Sequence, residues 1–234
     1  MKPLTTGSRD NHSLAALGLA SVQIVHDLKN QLNGLKLYAT FLRKRMEKTE
    51  RPEDELDTIK KLIAGLDRTA EDLSMISEYG QPLQLRPQPG VDLQAIMGGV
   101  ARDLNARLSA SPRATGALAG PIILAPQPTP LVGEFDQATL ADALKSISSG
   151  ALKMMNNKAR EGALQIGLKD EVNGARRDGL IEWEIGDPPP TDIFHSFAGS
   201  DAIRMSLAAR VIEAQGGSAE CDGGTLRVRL PLEK

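Results

Sequence analysis

Cysteine, net charge and long apolar runs are all scarce in this chain. Cys221 is its one cysteine among 234 residues, which excludes a disulfide framework within the chain. Basic and acidic side chains number 28 and 30, and the net charge of −2 gives no reason to expect nucleic acid binding. The apolar runs are too short to span a bilayer, and residues 1–13 have no hydrophobic core of the signal-peptide kind. We therefore expect a cytoplasmic protein with no membrane or nucleic acid partner.

Two stretches in the first third of the chain carry apolar residues in alternating steps of three and four, the spacing of helices that pack side by side. The first stretch comprises Val25, Leu28, Leu32, Leu35, Ala39, Leu42 and Met46. The second comprises Leu56, Ile59, Ile63, Leu66, Ala70 and Leu73. Between them, Pro52 and the three acids after it are typical of a turn and a helix start. The sequence predicts a hairpin of two long helices.

A hairpin of this kind cannot bury both of its apolar seams within itself. A symmetric homodimer would bury them in a four-helix bundle, with two helices from each chain. The alternative is that the hairpin packs against the C-terminal half of its own chain. We expect the dimer.

His26 falls beside the first apolar seam, so a side chain there would be open to another protein. Asn30, four residues on, shares its helix face, and Asp27 lies about 100° round the helix. Such a pair is often only a solvated surface pair. A functional reading is favoured by the cation at Lys29 and by Gly34, which interrupts a run of good helix formers.

The segment HDLKNQL, from His26 to Leu32, resembles the H-box of the dimerisation and histidine-phosphotransfer domain of two-component sensor histidine kinases. The resemblance implies that His26 accepts a phosphoryl group. It also implies that Asp27 orients or deprotonates the ring and that Asn30 positions a water or a partner's aspartyl phosphate. Gln31 replaces a common proline, which removes a kink but no reactive group. An imidazole that titrates near neutrality suits this chemistry.

A boundary follows the second helix, where three prolines and two glycines occur within one short stretch. We place the helical hairpin in residues 1–80, a linker in 81–92 and a second domain in 93–234. The second domain alternates predicted helices (93–108, 137–155 and 202–215) with strand candidates such as PIILAP, ALQIGLKD, LIEWEIGD and TLRVRLPL. The fold class is therefore α+β, a helical hairpin followed by one sheet covered by helices.

This second domain resembles the ATP-binding domain of the same kinases in the order of its elements, but its nucleotide motifs are altered. The two asparagines usual in the family's N-box helix fall on Ser146 and Gly150. One of those amides normally binds magnesium, for which serine is a poorer ligand and glycine offers no side chain.

The adenine and phosphate motifs are altered as well. Asp187 keeps the family's acid, but Pro189 stands where a glycine would let the backbone approach a ligand. Ala202 and Arg204 replace glycines that cradle phosphate at the start of a helix. The resemblance thus implies a degenerate nucleotide site, and we expect neither ATP nor magnesium nor another metal as a cofactor.

The kinase lid is also short, because few residues separate Asp187 from the last predicted helix. Ile193, Phe194 and Phe197 are expected to fill the core that a nucleotide would otherwise border. Asp187 is then a structural or vestigial residue.

Three functions remain open. The first is a histidine phosphotransferase in a phosphorelay, which receives a phosphoryl group on His26 from a response-regulator aspartate and passes it to another receiver domain. The second is a histidine kinase or phosphatase with residual ATP binding, and the third a scaffold that transfers nothing. We expect the first, with receiver domains docking near Val22, Lys29, Asn33 and Lys36.

Overall fold

The computed structural model describes residues 7–47, 53–110, 119–157, 162–173, 176–189, 192–196 and 199–233. Near the ends of several elements only the backbone is described, and the same holds for residues 7–23 and His26 in the first helix. The chain divides into two compact units, Met1–Pro82 and Leu83–Lys234.

The first unit consists of two long helices, α1 (Gly7–Met46) and α2 (Glu53–Gly80). They pack along each other, as the heptad spacing predicts. Ala39 is buried between them, and Lys36 Nζ of α1 lies 2.5 Å from Asp67 Oδ1 of α2. None of the helices in the described part of the chain is both long and apolar enough to cross a membrane.

The helix pair leaves many of its large apolar side chains in solvent. Those that are more than a third exposed are Ile24, Leu28, Leu35, Leu37, Tyr38, Phe41, Leu42, Leu62 and Ile76. A monomeric soluble protein rarely exposes so many apolar side chains on one pair of helices. Of the predicted seam residues, Leu28, Leu35 and Leu42 of α1 are among these exposed side chains.

The second unit contains seven strands and three helices among its described residues. In chain order they are β1 (Gln88–Asp92), α3 (Leu93–Ala110), β2 (Ala119–Leu124), β3 (Val132–Phe135), α4 (Gln137–Asn157), β4 (Gly162–Asn173), β5 (Arg176–Glu184), α5 (Ser200–Ala214), β6 (Ser218–Asp222) and β7 (Thr225–Pro231). The main sheet has the order β2-β4-β5-β7-β6, in which only β2 and β4 run parallel, and β1 pairs with β3 separately. The mixed α+β class predicted from the sequence is confirmed.

One face of the main sheet forms the core with α3, α4 and α5. Alternate residues of the central strands point to this face and are fully or almost fully buried: Leu164, Ile166, Leu168, Ile181, Trp183, Leu226 and Val228. Trp183 Nε1 donates a hydrogen bond to Ser148 Oγ of α4 at 2.9 Å, so the one buried indole is satisfied. This bond fixes α4 over the middle of the sheet.

The second unit begins earlier than the predicted boundary. Residues 81–92 were expected to form a linker, but 88–92 form β1, in which Val91 pairs with Gly133 of β3. Arg86 is also tied to the unit, because its N–H donates to Asp136 Oδ2 at 2.8 Å. The connecting segment is therefore shorter than its proline content suggests.

Asp136 sets the start of α4, the helix that carries Ser146 and Gly150. Its Oδ1 accepts the N–H of Thr139 at 3.0 Å, the arrangement of an N-cap. The backbone N–H groups of Thr139 and then Arg86 hold the pKa of Asp136 below its usual value.

Candidate functional site

His26 lies inside α1, but its side chain is outside the described part of the chain. The ion pair between Lys36 and Asp67 shows which part of α2 lies opposite His26. His26 lies ten residues before Lys36, and Ser77 lies ten residues after Asp67. Because the two helices run antiparallel with the same rise per residue, His26 and Ser77 lie opposite each other. The histidine position thus lies close to the end of α2, at the open end of the hairpin.

The predicted catalytic neighbours of His26 are accessible. Asp27 and Asn30 are both exposed. The predicted partner surface is less uniform. Asn33 is exposed, Lys29 is half-buried, and the side chain of Val22 lies outside the described residues.

Lys36 has a bonding partner within the hairpin. Its side chain is 44% exposed, and its ammonium is paired with Asp67. Contact with a receiver domain at this lysine would therefore compete with an existing ion pair.

Buried Ala39 marks the side of α1 that faces α2, and the exposed residues can be placed by rotation from it. At 100° per residue, Ile24, Leu28, Leu35 and Leu42 lie within about 60° of Ala39 on one side. These four residues, of which only Ile24 lies outside the seam predicted from the sequence, are called the apolar seam from here on. Asp27, Asn30, Gly34, Leu37 and Phe41 lie about 160–240° from Ala39, on the far side of the helix, and are called the outward strip.

The outward strip combines polar residues near His26 with a large apolar patch. Leu37 is 68% exposed and Phe41 70% exposed. The position of His26 adjoins the strip, four residues before Asn30. The patch of Leu37 and Phe41 lies about 17–22 Å from the level of His26 along the helix axis.

The position of the second altered asparagine, Gly150, is closed by a neighbouring helix. Gly150 is buried in α4, and a Cβ atom built there would lie 2.6 Å from Met205 Sδ of α5. Real Cβ contacts do not occur at that distance, so a side chain at position 150 requires Met205 to move. Ser146, one turn earlier, donates its hydroxyl hydrogen to the carbonyl of Asp142 at 3.0 Å.

The segment 192–196 lies between Asp187 and α5, where the sequence predicts a short lid, and is called the strap. Its Ile193 and Phe194 are buried in the core of the second unit, as predicted, while Phe197 lies outside the described residues. Ser206 of α5, itself buried, donates from its hydroxyl to the Ser196 carbonyl at 2.8 Å. The strap is thus held by apolar side chains and by a hydrogen bond to α5.

The remaining residues of the altered nucleotide motifs lie near the surface. Asp187 and Arg204 are exposed, whereas Pro189 and Ala202 are half-buried. Just before Asp187, the N–H groups of Ile185 and Gly186 both donate to the Gly224 carbonyl at 2.9 Å. No three carboxylate, histidine or cysteine groups gather as metal ligands would within the described ranges.

His195 at the end of the strap is held by two carboxylates. Its Nδ1 lies 2.8 Å from Asp192 Oδ2, and its Nε2 lies 3.7 Å from Glu213 Oε1 of α5. The hydrogen bond with Asp192, followed by the charges of both acids, raises the pKa of His195. The same bond lowers the pKa of Asp192.

These shifts predict how His195→Gln changes stability with pH. Because the pKa of His195 is raised in the folded protein, its contribution to stability is fully present below the unfolded pKa of about 6.5. This contribution is lost as pH rises through the folded pKa. The lowered pKa of Asp192 means that its contribution is lost as pH falls. We expect the Tm of the wild type to exceed that of His195→Gln most in mildly acidic solution, below about pH 6.5, and the gap to narrow as pH rises through the raised pKa of His195. Because both groups are exposed, the difference will be small; a constant gap at all pH values would contradict this account.

Sequence reasoning pointed to the histidine and the altered motifs but not to the contact between Gly150 and Met205. Gly150 and Met205 stand 55 positions apart on different helices. A buried helical glycine signals a close neighbour, but the sequence does not say which residue that is.

Comparison with known proteins extends these observations. No protein-family model matches the chain, and no curated protein matches it in sequence. Among solved structures, the fold is similar to that of the histidine kinase AdeS of Acinetobacter baumannii. The TM-score is 0.55 with 18% sequence identity, and the alignment covers 89% of this chain and 98% of the AdeS chain. The chain therefore has a histidine kinase-like fold.

Proposed function

We propose that this chain is a histidine phosphotransferase of a two-component phosphorelay. It would accept a phosphoryl group on His26 from the aspartate of one response regulator and pass it to the receiver domain of another. The observation that supports a protein donor over ATP is the contact of Met205 with Gly150. Gly150 holds the position of one of the two asparagines usual in the family's N-box, and a Cβ atom there would lie 2.6 Å from Met205 Sδ.

The transfer needs few groups. A neutral ring nitrogen of His26 attacks the phosphorus of the donor's aspartyl phosphate, the N–P bond forms, and the P–O bond to the donor carboxylate breaks. The carboxylate leaves with the bonding electron pair, and the same steps run in reverse onto the acceptor aspartate. Asp27 would keep the imidazole in its reactive tautomer and balance the charge that develops on it. Since such reactions depend mainly on positioning and charge, an exposed helix can support them.

A second copy of the chain is the proposed cover of the apolar seam. The seam lies within about 60° of the side that packs on α2, so one further pair of helices can cover it in a four-helix bundle. Leu62 and Ile76, the exposed large apolar residues of α2, would belong to the same interface. The outward strip faces away from α2 and stays accessible in such a dimer.

We expect Leu35→Glu to convert the dimer to monomers. Leu35 belongs to the seam and is 55% exposed in the single chain, so the charge would be tolerated by the hairpin but not at a buried interface. Leu37→Glu is the matched control on the same helix, and it should leave the dimer intact. Light scattering after size-exclusion chromatography measures both masses. Equal masses for the two variants would contradict the seam assignment.

The proposed docking surface for receiver domains is the outward strip. The geometry of α1 favours it because the strip adjoins His26 and carries two large exposed apolar side chains, Leu37 and Phe41, that can anchor a partner. Lys36 is less suited to contact a receiver domain, since its ammonium group is already paired with Asp67. Asn33 and Lys29 would lie at the edge of the contact.

The proposal is tested by incubating the full chain with a receiver domain phosphorylated by acetyl phosphate. We expect an acid-labile phosphoryl group to appear on the chain and to move on to a second receiver. Labelling by ATP and magnesium would instead favour the kinase alternative. If neither donor labels the chain, the scaffold alternative stands.

A further inference from the structure

The main sheet closes one of its two outer edges and leaves the other open. At the first edge, the side chain of Asn105 of α3 covers β2. Its Oδ1 accepts the N–H of Ile122 at 2.8 Å, and its Nδ2 donates to the Ile122 carbonyl at 3.0 Å. Those two groups are the ones that a further strand would bond to. No side chain of the described residues closes the opposite edge, β6, in this way.

The pairing pattern shows which backbone groups of β6 face outward. Gly224, in the turn between β6 and β7, has its carbonyl facing β5, where it accepts the N–H of Ile185 at 2.9 Å. Because successive residues face opposite edges of a strand, the next residue of β7 faces β6 and bonds to Asp222, its partner across the turn. The same alternation along β6 points the N–H and C=O groups of Ala219 and Cys221 away from the sheet.

A cavity of about 420 Å³ lies along this open edge and is called the trough. Ala219 and Cys221 of β6 line it, together with Asp192 and His195 of the strap and with Pro189. Ala219 is 8% exposed and Cys221 is half-buried, so their outward groups are sheltered from bulk solvent. No backbone hydrogen bond within the described ranges pairs these groups. Sheltered N–H and C=O groups are costly without partners, and an extended peptide supplies both kinds of partner.

The electrostatics of the trough favour a basic peptide. Asp192 and Glu213 share one weak cation, His195. Burial, followed by the charges of Asp192 and Asp222, raises the pKa of the Cys221 thiol, because nearby negative charge opposes the thiolate. The negative potential therefore reaches the strand edge itself.

Two arginines of β7, the neighbouring strand, do not offset this potential, because each is shared between two acids. Arg227 bonds to Glu182 and Asp222, and Arg229 bonds to Glu171 and Glu220. Acidic groups thus outnumber cations around β6. Charge complementarity favours lysine or arginine in a strand that pairs with this edge.

We propose that the trough binds an extended basic segment of a partner protein, which adds to β6 as a further strand of the main sheet. The backbone groups of Ala219 and Cys221 would bond to the segment, and the surrounding acids would select its lysine or arginine side chains. This binding is independent of phosphoryl transfer on His26, so either can fail without the other.

The probe is a fluorescent peptide of alternating lysine and valine, titrated with the full chain and followed by fluorescence anisotropy. A peptide of alternating glutamate and valine reverses the charge. The lysine and valine peptide with N-methylated amides keeps the charge and the side chains but cannot donate backbone hydrogen bonds. We expect each of these two controls to bind at least about tenfold more weakly than the probe.

Variants of the chain test the same contact from the other side. Cys221→Pro removes an outward N–H, and it spares the bonds to β7 because this N–H does not take part in them. Cys221→Ala removes only the thiol and is the matched control. We expect the proline variant to bind the probe about tenfold more weakly and the alanine variant to bind it like the wild type. The Tm of each variant checks that it is folded, and the N-methylated peptide tests the same bonds on the unchanged protein.

The outcomes separate the possible occupants of the trough. Equal binding of the N-methylated peptide would overturn strand addition, and equal binding of the glutamate peptide would overturn the preference for a basic segment. A wild type that binds none of the peptides overturns the proposal, whether or not a phosphorylated receiver labels it. A dimer that Cys221→Pro dissociates and Cys221→Ala does not would make a second copy of the chain the occupant and overturn the partner segment.

Discussion

Replacing His26 with Gln is expected to abolish phosphoryl transfer, with a loss in kcat/KM on the order of 10⁵–10⁶, the size expected when a nucleophile is removed. An amide cannot act as the nitrogen nucleophile that imidazole provides near neutral pH. Gln is a good helix former of similar length, so α1 should keep its structure. The measurement is the rate at which a phosphorylated receiver domain loses its label to the chain.

Two variants make this result specific. His195→Gln removes a histidine of the second unit and should transfer at the wild-type rate, because His195 bonds to Asp192 and Glu213. Asp27→Asn should slow transfer by about a hundredfold without abolishing it, since the ring would lose an orienting charge but keep its nucleophile. If His26→Gln transferred as fast as the wild type, the phosphoacceptor would have to be another residue.

The second large effect is expected at Gly150. Changing Gly150 to Asn introduces the residue usual in the kinase family, and we expect it to lower the free energy of unfolding by about 2–5 kcal/mol. The new Cβ would lie 2.6 Å from Met205 Sδ, so Met205 must shift, and a polar amide would be buried beside it. Urea denaturation of the full chain measures the change.

Ser146→Asn is the matched substitution at the other altered N-box position. Ser146 is only half-buried, so the free energy of unfolding should change by no more than about 0.5 kcal/mol.

Adding Met205→Ala to Gly150→Asn should restore part of the lost stability, because it removes the colliding side chain. A Gly150→Asn protein that is as stable as the wild type and gains Tm with ATP and magnesium would show that the site is open.

The fold could be predicted largely from residue patterns, with losses at the shortest elements. α3, α4 and α5 have clear apolar periodicity, and their observed bounds lie within two residues of the predictions. The strands β1, β3 and β6 were not predicted, because four or five residues carry too little alternation. For β6, the pair Gly223–Gly224 gave an unused signal: it forms the tight turn to β7, with Gly223 at φ 56°.

Local sequence patterns predict one part of the candidate site, and tertiary contacts determine the other part. His26, Asp27 and Asn30 could be proposed from their spacing, because helix phase follows directly from sequence. The contact of Gly150 with Met205 and the ion pair of Lys36 with Asp67 join distant positions. Neither partner is marked in the sequence, so both contacts became visible only in three dimensions.

The source of the phosphoryl group is the central question, and one measurement answers it directly. The same preparation of the full chain is offered a receiver domain labelled on its aspartate in one reaction and labelled ATP with magnesium in another. The account predicts that label appears on His26 from the receiver and that none appears from ATP. Label on His26 from ATP alone would contradict it.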